Sequence, residues 1–177
     1  MTKIQKINDN KRLRTLILIS LFKLLNMKQG EVLKHAISNR IDELEQVIVD
    51  NFPLINCPLK EYFTDGIYVR EVTLPKGALV TSKIHKTQHQ FFIMKGKVVV
   101  WVDGVEKIIK APYIGITEPG TRRVVYALEK SIWVTTHANP DNENSEQIEE
   151  RIIEKHDNPL LSLEIKERVI NLLNEKQ

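Results

Sequence analysis

Cysteine is all but missing from this chain. Cys57 stands alone among 177 residues, which excludes an intrachain disulfide framework and any cysteine-rich zinc or iron–sulfur centre. Such a chain suits a reducing cytoplasm. Glycine and proline are sparse, at seven each, so the chain is neither collagenous nor of low complexity. Long apolar runs are also lacking. The run Thr15 to Leu25 (TLILISLFKLL) follows a basic stretch as a signal peptide would, but Lys23 interrupts it and no small-x-small cleavage site follows. It is far short of the roughly 20 residues that a spanning helix needs, so it reads as a helix packed against protein, and no transmembrane segment is expected. Aromatic residues make up only 6% of the chain and form no run among the N-terminal basic residues. Nucleic acid therefore ranks low as a partner.

The charge that is present is unevenly placed. Residues 1–29 hold seven Lys and Arg against Asp9 alone, a net of +6, while residues 141–177 hold ten Asp and Glu against five Lys and Arg, a net of −5. A basic head of this kind attracts an anionic partner, and the acidic tail of a second copy is the nearest one. With 42% hydrophobic residues the chain has enough apolar material for a core and is not a disordered polymer.

Three zones follow from periodicity. From Asn10 to about Asn51 the pattern is helical and divides at Gly30. Leu33, Ile37, Ile41, Leu44 and Ile48 recur at helical spacing, which puts them on one face as core or dimer seam, and Pro53 ends the run. From Ile67 to Ala138 the period changes to short Val-, Ile- and Thr-rich runs separated by Pro75-Lys76-Gly77, Lys95-Gly96-Lys97, Asp103-Gly104 and Pro119-Gly120. Asp103-Gly104 is a strong hairpin signal. About eight strands fit with no room for crossover helices, which predicts an antiparallel sandwich or barrel. Beyond Pro140, Ile148, Ile152 and Ile153 mark a short helix, and Leu163, Val169, Ile170 and Leu173 mark a second. The expected divisions are a helical extension over 1–55, a β unit over 56–140 and a helical extension over 141–177.

Three of the five histidines, His85, His89 and His137, fall in the β zone. Imidazole is the commonest transition-metal ligand, and in an extended segment the four-residue spacing of His85 and His89 turns both rings to one face. Trp101 and Trp133, flanked by aliphatic residues, read as core or interface. Cys57, without a basic neighbour, reads as inert. His35 and His156 read as exposed helical residues. No Gly-rich phosphate loop, nucleophile elbow or paired-carboxylate arrangement is present, so no nucleotide cofactor is expected.

The spacing around these histidines is more telling. Gly77, five residues, Lys83-Ile84-His85, three residues, His89, six residues and Gly96 resemble the first motif of the cupin superfamily, Gly-x5-His-x-His-x3-4-Glu-x6-Gly. The block Glu118-Pro119-Gly120-Thr121-Arg122-Arg123 resembles the second, Pro-x-Gly-x2-His. The resemblance covers about residues 62–138. It implies a mainly β chain: one cupin-type antiparallel β-barrel, or jelly roll, with α-helical N-terminal and C-terminal extensions. More narrowly, TDGIYVREVTLPKGALV and APYIGITEPGTRRVVYALEKSIWVTTHA are similar to small cupin-like proteins of tailed bacteriophages and prophages, which implies a host-cytoplasmic setting and a homodimer or higher homo-oligomer.

The departures from the family pattern frame the chemistry. Lys83 stands where the first histidine belongs, His89 replaces the glutamate, and Arg123 takes the place of the second-motif histidine. A divalent ion (Fe, Mn, Ni or Zn) would then rest on His85, His89 and a third donor, His137 first and Glu71 next. The alternative keeps the pocket without the metal: Lys83 and Arg123, beside Tyr126, would receive a small anionic ligand. The cluster Thr121-Arg122-Arg123 also fits a charged edge strand. A third reading makes the barrel a scaffold for a phage accessory or assembly protein that acts through oligomerisation or a host partner.

Overall fold

A computed structural model describes residues 3–6, 31–161, 163 and 167. The apolar run Thr15–Leu25, most of the basic head, the markers Val169, Ile170 and Leu173, and the side chains of Leu33 and His35 lie outside the described residues. The elements are β1 (Lys3–Lys6), α1 (Glu31–Asn51), β2 (Leu59–Thr64), β3 (Gly66–Leu74), β4 (Ala78–Thr81) and β5 (His89–Lys95). They continue as β6 (Lys97–Val102), β7 (Val105–Lys110), β8 (Tyr113–Thr117), β9 (Arg123–Ala127), β10 (Ser131–Asn139) and α2 (Ser145–Ile152).

The Asp103-Gly104 turn is the centre of the strand arrangement. Both residues take positive φ, 50° and 75°, as a tight hairpin requires. Around it the strands pair as nested partners: β6 with β7, β5 with β8, β4 with β9, and β3 with β10. One long antiparallel ribbon is thus wound into two sheets of five strands, β1-β4-β9-β6-β7 and β2-β3-β10-β5-β8. This strand order is a jelly roll. The eight strands expected between Ile67 and Ala138 are β3 to β10, and they face one another as two sheets rather than as a closed barrel.

Alternation along the strands sorts residues to the two faces. Val72, Leu74, Val80, Phe91, Ile93, Val98, Val100, Val125 and Trp133 turn inward and form the core between the sheets. Leu79, Val99, Trp101 and Val124 turn the opposite way, onto the outer face of the first sheet. There α1 lays down Ile37, Ile41, Leu44 and Ile48, with Phe52 just beyond its end. The regular stripe is therefore core within one chain, not a dimer seam, and Trp101 belongs to it. The outer face of the second sheet has no such cover among the described residues: Met94, Ile114 and Ile116 are at least 60% exposed.

A buried polar cluster locks α1 in place. Arg122 donates to Asp42 Oδ1 at 2.7 Å, to Glu45 Oε1 at 3.0 Å and to the Ser38 carbonyl at 2.9 Å. Thr81 and Asn158 also donate to Glu45, at 2.7 and 2.9 Å. His156 lies in this cluster, with Nε2 2.9 Å from Asp42 Oδ1, and belongs to no helix. The solvated edge expected at Thr121–Arg123 is not what forms. The strand β9 that follows is flanked by β4 and β6, and both arginines are 6% exposed.

At the other end, Asn144 and Gln147 close a reciprocal capping box on α2, and Ile148, Ile152 and Ile153 pack on Tyr68. Cys57 is buried, and desolvation pushes its thiol up to about 12, so it is protonated and unreactive as expected. Because Leu44 is fully enclosed between α1 and the first sheet, Leu44→Ala should cost about 2–5 kcal/mol in denaturant unfolding. That loss should not depend on protein concentration, as it would if the stripe were a seam between copies.

Candidate functional site

Three elements deliver the histidines. His137 lies on the inward face of β10, between Thr135 and Asn139 in the alternation; His89 opens β5; and His85 sits in the irregular segment between β4 and β5. The His85–His89 pair does not come from one extended strand, as the spacing suggested, because a bend separates the two. His85 is held instead by a bridge to Ile153 and by the C-terminal extension around it: Lys86 N–H donates to the Ile152 carbonyl at 2.7 Å, and Glu154 N–H to the Ile84 carbonyl at 2.9 Å.

The rings converge. His85 and His89 have centroids 4.3 Å apart, His89 and His137 4.5 Å, and His85 and His137 5.7 Å. One nitrogen from each lies within 4.8 Å of the other two. Nitrogens about 2.1 Å from a shared ion in tetrahedral geometry sit about 3.4 Å apart, so closure on an ion asks for about 1 Å of side-chain adjustment. Nδ1 of His85 and of His137 is buried with no hydrogen-bond partner among the described residues. Buried polar atoms seldom stay unsatisfied, and a metal ion is one group that would satisfy them.

All three imidazoles are neutral at pH 7. Burial is the main cause for each: it takes His85 down to about 2, His89 to about 4 and His137 to about 3. The repulsion that protonated neighbours would exert adds to this at His85 and His137. Neutral imidazole is the form that ligates a metal.

The remaining predicted residues divide. Lys83 and Arg123 line the same pocket as the histidines, but Lys83 is ion-paired with Glu149 of α2 and is not a free cation. Burial pushes the Glu149 carboxyl up, but the hydrogen bond and charge of Lys83, with other nearby cations, outweigh it and hold that carboxyl below its usual range. Glu71 and Tyr126 do not reach the pocket, and strand alternation is the reason. On β3 it is Tyr68, Arg70, Val72 and Leu74 that turn inward, so Glu71 faces out toward Lys60 and Tyr62. On β9, Arg123, Val125 and Ala127 turn inward, and Tyr126 packs on the α1 side. Sequence reading missed Arg70, which lines the pocket. Its signal was its even parity with Val72 and Leu74.

Arg123 enters from β9 and lies over two aromatic rings, 5.1 Å from the Phe91 centroid and 5.7 Å from that of Trp133. Those rings stack on one another at 4.7 Å and 8°. Gly115 makes room for them, since a Cβ there would fall 2.4 Å from the Phe91 ring. The guanidinium donates to Thr117 Oγ1 at 2.5 Å.

The histidine environment predicts an acid-labile fold. A group whose folded pKa lies below its unfolded value near 6.5 binds fewer protons folded than unfolded, so stability is full above about 6.5 and falls as pH drops toward the folded values. Metal-free protein should lose stability between pH 7 and pH 5 in denaturant titrations, while the imidazole resonances of His85, His89 and His137 stay fixed over that range. Movement of those resonances near pH 6.5 would show the rings to be solvated.

No family model matches the chain, and no curated protein matches it. Solved structures with related folds do match. An RmlC-like cupin from Shewanella frigidimarina NCIMB 400 is 18% identical with a TM-score of 0.42, over 50% of this chain and 78% of that one. KdgF from Halomonas sp. is 16% identical at 0.43, over 51% and 84%. An RmlC-like cupin with a double-stranded β-helix fold from Methanocaldococcus jannaschii is 13% identical at 0.41, over 48% and 83%. The fold assignment rests on this chain's own strand order: a mainly β, antiparallel jelly roll flanked by helices.

Proposed function

We propose that this chain is a metal-binding jelly-roll protein whose centre is built by His85, His89 and His137. The observation that carries this reading is the convergence of three neutral imidazoles, His89 and His137 buried and His85 half-buried, two of them with a buried nitrogen that has no other partner among the described residues. An all-nitrogen, three-residue set suits Zn, Fe or Ni better than Mn, which prefers oxygen ligands, and leaves a coordination position open to water or ligand. When bound, such an ion supplies Lewis acidity and a more acidic bound water. The chain's own part is to hold the three rings at fixed angles from β5, β10 and the Ile153-bridged loop, and to shield them from bulk water with Trp133 and Val72 of the pocket wall. Glu71, on the outer face, has no part in it.

The bacteriophage-type setting, the host cytoplasm and a homo-oligomer belong to the same proposal and rest on the sequence resemblance. The oligomer reading draws support from the outer face of β5 and β8, where Met94, Ile114 and Ile116 are exposed, an apolar surface of the kind that marks contacts between proteins. The purely scaffolding alternative is weakened by the loss of the α1 stripe as a seam.

Untagged protein analysed by inductively coupled plasma mass spectrometry should carry about one transition-metal ion per chain. His85→Ala and His137→Ala should each lower that at least tenfold with an unchanged far-ultraviolet dichroism spectrum. Failure of the metal-stripped protein to take up Zn or Co at micromolar concentration would remove the reading. Charge placed on the second sheet by Ile114→Glu with Ile116→Glu should lower the mass measured by light scattering to that of one chain without changing metal content.

A further inference from the structure

The pocket that holds the histidines also holds two arginines, neither of which has a carboxylate at ion-pair distance among the described residues. The contrast with a neighbour makes this plain. Arg122 is met by two buried carboxylates, Asp42 and Glu45. Arg123, the next residue and equally buried, has no carboxylate within ion-pair distance among the described residues, only the Thr117 hydroxyl and the faces of Phe91 and Trp133. A guanidinium has five N–H donors, so most of its capacity is unused. Arg70 comes in from β3, and its Nε is buried with no partner among the described residues. The residue as a whole is half-buried, with Glu61 opposite it in the β2–β3 register and Glu149 within electrostatic reach, but neither carboxylate is at ion-pair distance. Lys83, the third cation on this wall, is already neutralised by Glu149.

A buried charge without a directly paired counter-charge is expensive, and here the buried Arg123, with the half-buried Arg70 beside it, shares a pocket with three neutral imidazoles. The missing partner is an anion. Its size is limited: the cavity, of about 50 Å³, has room for a head group of a few atoms. Its shape is suggested by the forked, planar donors that guanidinium presents, which match a carboxylate in two-point contact. Burial lowers the Arg123 pKa to about 10, and the group is still charged at neutral pH.

We propose that the pocket binds a small carboxylate held by Arg123 and Arg70 beside the histidine centre, and that carboxylate and metal strengthen one another's binding. The second half rests on the proposed metal centre. A dication held by neutral ligands next to two guanidinium groups is repelled by them, and a bound carboxylate offsets that repulsion for both. Coupling of this kind is reciprocal. It also gives Arg123 a reason to occupy the position where the sequence motif would have a histidine.

Two titrations test this with acetate as the probe and inorganic phosphate beside it. Metal-stripped protein is melted with and without 50 millimolar acetate, roughly the concentration at which a weak anion site fills and raises the melting temperature. The shift should vanish in Arg123→Met and shrink in Arg70→Met. Cobalt uptake, followed by visible absorption and corrected for cobalt acetate in buffer, should tighten about fivefold or more when acetate is present, and Arg123→Met should abolish that gain.

Without ligand, Arg123→Met should melt no lower than wild type, because it removes an unpaired buried charge. A lower melting point would assign Arg123 a structural role and overturn the proposal. Arg123→Lys, which keeps the charge and loses the fork, provides a second variant should methionine not fold. Cobalt uptake that is stoichiometric but indifferent to acetate, with no thermal shift, would overturn the carboxylate site and leave the metal centre standing. A thermal shift by acetate without cobalt uptake would do the reverse. Response to phosphate alone would overturn the carboxylate class.

Discussion

Two adjacent arginines at the start of one strand point in opposite directions, and most of the molecule depends on that. The two-residue period of β structure sends Arg122 out of the first sheet and Arg123 into the space between the sheets. Arg122 finds Asp42 and Glu45 on α1 and fixes the helix over Leu79, Val99 and Val124. Arg123 finds aromatic rings and the histidine pocket. Breaking a buried ion pair by removing one partner typically costs about 3–5 kcal/mol. On that scale the outward arginine is part of what holds the fold together, while the inward one faces the pocket.

The pocket is not a property of the β sandwich alone. His85 lies between strands, where nothing in a ladder would hold it, and its backbone is fixed by the segment that follows α2. The bridge from His85 to Ile153, with the bonds from Lys86 to Ile152 and from Glu154 to Ile84, extends the protein with a short pairing to its own C-terminal extension. The Gly120 N–H donates to the His85 carbonyl at 2.8 Å from the opposite side. Glu149 of the same extension occupies Lys83. A region that composition marks as a polar appendage therefore sets one ligand's position and removes one cation from the pocket.

Local signals were legible in the sequence and non-local ones were not. Asp103-Gly104 announced its hairpin because positive φ is a property of those two residues. The stripe from Ile37 to Ile48 announced a helix, and Pro53 its end. The histidines announced themselves by type, and the motif spacing placed two of them. Which face each strand residue takes depends on register, and register is set by partners far along the chain. A shift of one residue moves a side chain to the opposite face, which is why Glu71 and Tyr126 were assigned inward while Arg70 was overlooked. The pairing of Arg122 with Asp42 spans 80 residues and leaves no local trace, so a buried anchor read as a solvated edge. The separation of the stripe from any seam between copies was likewise settled only by the opposing faces of β4, β6 and β9.

The electrostatic arrangement of the interior follows from the same alternation. The acidic residues nearest the core, Asp42 and Glu45, are committed to the α1 side of the first sheet, and Glu61 is tied to the hydroxyl of Tyr68. Glu61 stands opposite Arg70 in the β2–β3 register, and Asp103 is the carboxylate whose charge reaches Arg123, but neither comes within ion-pair distance. Burial meanwhile keeps His85, His89 and His137 neutral, so they add nothing to the positive charge near them. The result, among the described residues, is one cavity lined by neutral imidazoles and by guanidinium groups that have no carboxylate at ion-pair distance. Real proteins break such local rules chiefly at functional sites, and here both departures, imidazole nitrogens without partners and guanidinium groups without an ion pair, lie within the same wall of residues.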